Sequence, residues 1–177
     1  ITRKSIINDD LDALSRIPKI FAQGALNMQA DMVFGLLTSA GTKAPDGTAL
    51  FHSTHGNLAG TAAAMSETTI NDGIVAMRKQ KSPAGDYLSI APKYLVVPLE
   101  KVITARKLMS GITAGTTTDV NTLAGALEII TDPRLSAASA NAWYLFAGTE
   151  YEGLMHAYLD GEEGLYTESQ TNFLNDN

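Results

Sequence analysis

The longest regular pattern in the sequence is a stripe of apolar residues between positions 15 and 39. These residues recur three or four positions apart, which is the spacing of one face of an α-helix. At ~1.5 Å per residue the segment predicts a helix about as long as a small domain is wide. We expect other elements to pack along this face, with a close approach at Gly24 and Gly35, because glycine is unfavourable inside a helix. The apolar stripe consists of Ile17, Phe21, Ala25, Met28, Met32 and Leu36.

The remaining segments predict shorter helices and short strands. Ser66 is a suitable N-cap for one helix, and Pro98 suits the end of a buried strand. Residues 41–57 are rich in turn formers, with a clear Pro-Asp-Gly turn at 45–47. The chain is therefore predicted to be an α+β protein. The shorter helices are expected at 66–82 and 99–111, and the strands at 94–97, 126–131 and 142–147.

Composition narrows the possible partners. The 177 residues, about one domain, carry a net charge of −6, which argues against nucleic acid as a direct partner because phosphates are bound by clustered Lys and Arg. The basic run RKQK at 78–81 is typical of a solvated helix face. The absence of cysteine excludes disulfides, thiolate catalysis and cysteine zinc sites. No apolar run reaches the ~20 residues that span a bilayer, so no membrane partner is expected.

An acidic cluster stands directly ahead of the long helix, at Asn8, Asp9, Asp10 and Asp12. Acidic side chains and Asn or Asp caps stabilise the positive N-terminal end of a helix. A metal site would need further ligands from elsewhere, and the cluster lacks the spacing and the glycine of an EF-hand. We favour a role in capping or in a surface contact over metal binding.

Two histidines, His52 and His55, have an H-x-x-H spacing in FHSTHGN. A zinc protease would place H-E-x-x-H on a helix, with the glutamate as general base, whereas this segment lacks the glutamate and follows a turn. Histidines that hold a loop in place are the simpler interpretation, and a metal-dependent hydrolase is the alternative. His156 stands alone in an apolar context, where a hydrogen-bonded structural role is favoured over that of a base.

The sequence contains no G-x-S-x-G nucleophile elbow, Walker loop or G-x-G-x-x-G motif. Glu162 and Glu163 lie between glycines, as in an exposed turn. No nucleophile, base and oxyanion donor can be assembled from these residues. We therefore expect a protein without catalytic activity or a cofactor.

Three stretches together resemble the major capsid protein, or major head subunit, of Mu-like tailed phages and prophages. They are RKSIINDDL at 3–11, ALFHSTHGNL at 49–58 and MRKQKSPAGDYLSIAPKYLVVPLE at 77–100. The resemblance covers nearly the whole chain and implies the capsid fold shared by tailed phages and herpesviruses. In that fold a long spine helix lies in a peripheral domain, and a mixed α/β axial domain follows.

The resemblance implies a division of the chain. Residues 1–11 would end an extended loop, and 12–65 would form the peripheral domain with the spine helix and a connecting segment. Residues 66–155 would form the axial domain, and 156–177 would return towards the peripheral domain. We expect the family's N-terminal arm and most of its extended loop to precede Ile1, and a final peripheral strand to follow Asn177.

The resemblance also implies a function: a structural subunit that self-assembles into an icosahedral head and encloses DNA. Its partners would be copies of itself in hexamers and pentamers, scaffolding or portal proteins, and loosely held DNA. Assembly would take place in the host bacterial cytoplasm. A virion decoration or adaptor protein is a further alternative. The predicted subunit contacts are Arg3, Lys4, Asn8, Asp9 and Asp10.

Overall fold

The structure, a computed structural model, describes residues 13–39, 41, 44–82, 84–110, 123–151, 153–155, 157–158 and 160. All five predicted subunit contacts, as well as Asp12, His156, Glu162 and Glu163, lie outside these residues. The chain divides into two compact units. Unit 1 comprises Ile1–Val33 and Leu154–Asn177, and unit 2 comprises Phe34–Gly153.

Helix α1, Ala13–Thr38, confirms the predicted long helix. It has 26 residues, which at ~1.5 Å per residue gives ~39 Å. Its C-terminal end is tied by the Thr38 hydroxyl, which donates to the Phe34 carbonyl at 2.9 Å. Within unit 1, the Gln29 side chain donates to the Tyr158 hydroxyl at 2.9 Å.

Among the residues that the structure describes, the apolar stripe of α1 does not face a core, contrary to the expectation from the sequence. Phe21, Met28 and Met32 are exposed by 60%, 64% and 59%. A Cβ atom added at Gly24 or Gly35 would meet no atom within 4 Å, so neither glycine marks a close approach. Periodicity identifies a face that must be buried, but it does not say whether the covering surface lies in the same molecule.

Helix α2, Glu67–Arg78, begins at a capping box. The Ser66 hydroxyl accepts from the Thr69 backbone N–H at 3.2 Å, and the Thr69 hydroxyl accepts from the Ser66 N–H at 2.9 Å. Two N–H groups that an α-helix leaves unpaired at its start are satisfied in this way. The predicted N-cap is confirmed, and the helix ends four residues before the predicted boundary.

Unit 2 contains a three-stranded sheet in the order β2-β1-β3. Strand β1, Pro92–Val97, pairs in parallel with β2, Glu128–Thr131, and antiparallel with β3, Tyr144–Ala147. Its residues Leu95, Val96 and Val97 are buried, as expected for a central strand whose two faces are covered. All three predicted strands are present.

The connection from β1 to β2 contains a short 3₁₀ helix, Leu99–Lys101, followed by α3, Val102–Met109. Parallel neighbours need such a crossover because a tight hairpin joins only antiparallel strands. Helix α4, Pro133–Ala138, follows β2 and was not predicted. The Asp132-Pro133 pair after β2 starts this helix, because Asp132 is the N-cap and its carboxylate accepts from the Arg134 N–H at 2.9 Å.

The hydrophobic core lies in unit 2, between the sheet and helices α2 and α3. At Gly73 of α2 an added Cβ would come within 2.7 Å of the Leu145 side chain, so this glycine allows the helix to approach β3 closely. The buried cluster consists of Met65, Ile70, Leu95, Val97, Ala105, Met109, Leu123 and Leu127.

We expect Ile70→Ala to lower the free energy of unfolding by about 2–5 kcal/mol, because this fully buried side chain leaves a cavity when truncated. Val75→Ala on the same helix is the control, since Val75 is 38% exposed and its truncation should cost less than about 1 kcal/mol. Urea denaturation measures both. Equal losses would contradict the assignment of Ile70 to the core.

Candidate functional site

Two features in the described part of the chain are candidates for function: the histidine loop, residues 44–57, and the exposed apolar surface. The histidine loop begins with a tight turn, where Gly47 N–H donates to the Ala44 carbonyl at 2.9 Å and Gly47 has a φ of 83°. It ends with a 3₁₀ helix, Ser53–His55, closed by Gly56 in the left-handed conformation. Glycine adopts positive φ without steric cost, so both bends are explained by their glycines.

His55 binds acceptors with both of its ring nitrogens. Nε2 lies 2.9 Å from Asp46 Oδ2 and 2.8 Å from Thr48 Oγ1, and Nδ1 lies 3.2 Å from the Leu50 carbonyl oxygen. The Thr48 hydroxyl donates its proton to Asp46, so it can only accept from His55. Both ring nitrogens therefore act as donors, which is the pattern of an imidazolium cation.

The hydrogen bond between His55 and Asp46 shifts the pKa of each side chain in the direction that favours its charged form. The hydrogen bond from His55 lowers the pKa of Asp46 from 3.8 to about 2, and hydrogen bonds from Thr48 act in the same direction. The hydrogen bond to Asp46 raises the pKa of His55 above 6.5, as does the Leu50 carbonyl. The His55–Asp46 pair is thus a charge-assisted hydrogen bond that closes the loop.

His52 is held within the same loop by different partners. Its Nδ1 accepts from the Thr54 N–H at 3.3 Å and lies 2.8 Å from the Thr54 hydroxyl. Its backbone N–H donates to Asn57 Oδ1 at 2.9 Å, while the Asn57 amide donates to the Leu50 carbonyl at 2.7 Å. Both imidazoles therefore hold the loop in its folded conformation through hydrogen bonds within it.

This geometry does not favour the hydrolase alternative. The two imidazole centroids are 6.1 Å apart and the rings are tilted edge to face. Among the residues that the structure describes, no group of three or more His, Asp or Glu side chains could hold a metal ion. Thr48 and Asp46 also share one nitrogen of His55, whereas a relay of the serine-protease type needs them on opposite nitrogens.

The loop is attached to the core of unit 2 at two places. The Phe51 and Tyr144 rings have centroids 5.4 Å apart, and burial raises the pKa of Tyr144. The Gln80 amide reaches the His55 carbonyl at 3.5 Å. Aromatic packing of this kind contributes about 0.5–1.5 kcal/mol beyond the area that it buries.

The second feature is an unusually apolar surface. Besides the stripe residues Phe21, Met28, Met32 and Leu36, several further large apolar side chains of α1 are exposed. Phe21, Met28 and Met32 share one face of α1 by their helical spacing, and apolar patches on the surface of soluble proteins mark sites of protein–protein contact. The further exposed residues are Ile20, Leu26 and Val33.

A model of a family of phage capsid proteins matches the chain over residues 1–177. The chain belongs to this family. No curated protein and no solved structure matches it. Membership assigns a structural role in the capsid of the virion, among copies of the same subunit, and the family is a non-enzymatic one.

The histidine loop is held by its own hydrogen bonds, whereas the large apolar side chains of α1 are exposed. Of the helices within the described ranges, none has the length and apolarity needed to cross a membrane.

Sequence reasoning identified the histidines and the Asp-Gly turn but not the bond between them. Asp46 is nine positions from His55, and nothing in local spacing indicates that the loop folds back to join them. The available signal was the pair of turns within the loop, at Gly47 and Gly56. Two such bends bring the segments on either side of them together.

We expect the loop to be most firmly closed between about pH 4 and about pH 6.5. The raised pKa of His55 means that its contribution is complete below 6.5 and is lost as the pH rises through the folded value. The lowered pKa of Asp46 means that its contribution is present above 3.8 and is lost as the pH falls through about 2. Amide exchange at Gly56, corrected for intrinsic rates, measures the closure.

Asp46→Asn should lower the pKa of His55 towards its ordinary value, measured by NMR titration of the imidazole protons. Asp72→Asn makes the same change of charge on an exposed position of α2 and should leave the titration of His55 unchanged. A His55 titration in Asp46→Asn that matches the wild type would contradict the hydrogen bond between His55 and Asp46.

Proposed function

We propose that this chain is the subunit of the icosahedral head of a Mu-like tailed phage or prophage, which self-assembles and encloses DNA. The observation that carries the proposal is the family match over the full chain. An exposed apolar helix face supports it, because such a face is a liability on a protein that stays monomeric.

The proposal extends to the fold. Helix α1 has the length expected of a spine helix, and α2, α3 and the mixed sheet follow in the order expected of an axial domain. We assign 12–65 to the peripheral domain, 66–155 to the axial domain and 156–177 to the returning segment. The capsid fold of tailed phages and herpesviruses accounts for this sequence of elements.

Assembly is driven in this account by burial of the apolar stripe of α1 against a neighbouring subunit. Each large apolar side chain that leaves water contributes about 1.5–3 kcal/mol, so several on one helix supply much of a specific interface. A closed shell holds each subunit at several interfaces at once, which turns modest single contacts into a stable whole.

The N-terminal residues supply a second contact in the proposal. Arg3 and Lys4 would meet acidic side chains of a neighbour, and Asn8, Asp9 and Asp10 would fix how the extended loop joins α1. An exposed ion pair contributes about 0–1 kcal/mol, so these contacts act by repetition over the shell.

Nucleic acid is a loosely held partner in this account. A net charge of −6 keeps the inner surface from binding DNA tightly, as expected of a shell that encloses DNA. Scaffolding or portal proteins complete the assembly in the host bacterial cytoplasm.

The direct test is to express the chain, together with any residues that flank it in the complete protein, and to view the product by electron microscopy. We expect closed shells or hexameric and pentameric capsomers. A product that remains monomeric at high concentration in sedimentation velocity would contradict the proposal.

Met28→Lys with Met32→Lys should block assembly while leaving the fold intact, because it places two charges on an exposed apolar face. Gln23→Lys with Asn27→Lys adds the same charges, with the same spacing, on a different side of α1. We expect the control to form shells. Sedimentation velocity measures assembly, and thermal unfolding monitors the fold; shells from the methionine variant would rule out the stripe as an interface.

Asp9→Ala with Asp10→Ala should raise the subunit concentration needed for assembly and change the melting temperature little. The reason is that the proposal gives these carboxylates a role between subunits. If the melting temperature fell sharply and assembly of the remaining folded protein were normal, the residues would serve folding instead.

A further inference from the structure

Helix α3 of unit 2 has an isoleucine in the middle of the face that it turns away from the core. Ala105 and Met109 are buried on the inner side of the helix, whereas Ile103 is 70% exposed. Arg106 and Lys107 follow Ile103 by three and four positions and are also exposed, so the three side chains share one face. This outer face of α3 is therefore apolar at its start and basic at its end.

Helix α2, also in unit 2, has an outer face with a different order of charges. Ile70 is fully buried on the inner side, and Asp72 and Val75 lie on the opposite side of the helix, where both are exposed. Asp72 precedes Val75 by three positions, and the exposed Arg78 follows Val75 by three. Along the chain, the outer face of α2 is acidic, then apolar, then basic.

The centres of the two outer faces are complementary when the helices run antiparallel. With Ile103 placed opposite Val75, Arg106 comes opposite Asp72, because the two residues of each helix are three positions apart. An apolar contact and an ion pair then lie side by side. The antiparallel direction also pairs the opposite ends of the two helix dipoles.

The ends of the two faces select the same direction. Glu100 is exposed just before α3, and in the antiparallel register it comes opposite Arg78 of α2. In a parallel register Glu100 would instead meet Asp72, and Arg106 would meet Arg78. Like charges placed opposite one another suppress wrong arrangements, so the charges favour the antiparallel pairing alone.

We propose that the outer face of α3 packs antiparallel against the outer face of α2 of a second copy of this chain. The inference rests on the proposed function and adds to it an interface that is separate from the apolar stripe of α1. The contact cannot form within one copy, because both helices turn their inner faces into the same core. Two different surfaces meet, so the contact is head-to-tail, as a ring of subunits requires.

The charges at the centre of this contact lack partners within one copy. Neither Asp72 nor Arg106 has an ion-pair partner among the residues that the structure describes. Arg106 lies in the last turn of α3, where it complements the helix dipole, but Asp72 lies in the middle of α2, where the dipole gives no such gain. In the proposed interface each acquires a partner, and the apolar contact beside them excludes water from the pair.

A contact with DNA fits the outer face of α3 less well. Phosphates are bound by clustered cations, and Arg106 and Lys107 are the two on this face. Ile103 and Leu99, exposed by 70% and 50%, would gain nothing from phosphate, and Glu100 would repel it. The outer face of α2 satisfies both the apolar and the charged groups.

Exchange of the charges tests the pairing. Asp72→Arg and Arg106→Asp should each raise the subunit concentration needed for assembly about tenfold or more, because each places like charges opposite one another. The double variant restores opposite charges and should assemble within about threefold of the wild type. Asp86→Arg, the same reversal at an exposed position outside both helices, is the control and should assemble normally. Sedimentation velocity measures assembly, and thermal unfolding monitors the fold.

Disulfide trapping locates the contact. The chain contains no cysteine, so Val75→Cys with Ile103→Cys can form disulfides only through the two introduced thiols. On oxidation of assembled protein we expect covalent ladders up to pentamers and hexamers on non-reducing gels. Leu88→Cys with Ile103→Cys is the matched control, because Leu88 is 46% exposed but lies outside α2, and it should remain monomeric on the gel. A Val75 and Ile103 variant that stays monomeric on the gel, or a ladder that ends at dimers, overturns the head-to-tail contact.

The outcomes separate the two proposals. A wild-type chain that remains monomeric in solution overturns both. Wild-type shells combined with normal assembly of Asp72→Arg and Arg106→Asp overturn only the contact between α2 and α3, and so does a double variant that assembles no better than the single ones. If Arg106→Asp assembles normally but loses binding to duplex DNA in a gel shift, α3 is a nucleic-acid contact instead.

Discussion

Apolar surface that the chain leaves exposed is the constraint on which the rest of the structure depends. Phe21, Met28 and Met32 lie on one face of α1, and water reaches more than half of each. Their transfer out of water is favourable wherever a complementary surface exists. In the proposed head a neighbouring subunit supplies such a surface, so the feature that would make a monomer prone to aggregate is what a shell requires.

Unit 2 differs from α1 because it contains a core in which its own apolar residues are buried. Ile70, Leu95 and Val97 are enclosed between the sheet and two helices, and the core is independent of any neighbour. The histidine loop is fastened to this unit through Phe51 and closed by the His55–Asp46 pair. Unit 2 therefore contains a hydrophobic core of its own.

Local sequence patterns were enough to predict most of the helices and strands, but not which surfaces pack against them. The period of residues 15–39 determines a helix whatever lies opposite it, so α1 was predictable and the exposure of Met28 was not. The Asp132-Pro133 pair is compatible with both a break and a helix start, and burial of Leu135 inside the tertiary structure decides between them. The His55–Asp46 bond likewise depends on a loop closure that spacing does not encode.

Oxidation of methionine by dilute peroxide tests most directly whether a second subunit covers α1, because the reaction requires an accessible thioether. Met28 and Met32 should oxidise rapidly in free subunits and become protected in assembled shells, as measured by mass spectrometry. Met109, buried in the core of unit 2, should react slowly in both states. Equal rates for Met28 and Met32 before and after assembly would contradict the account.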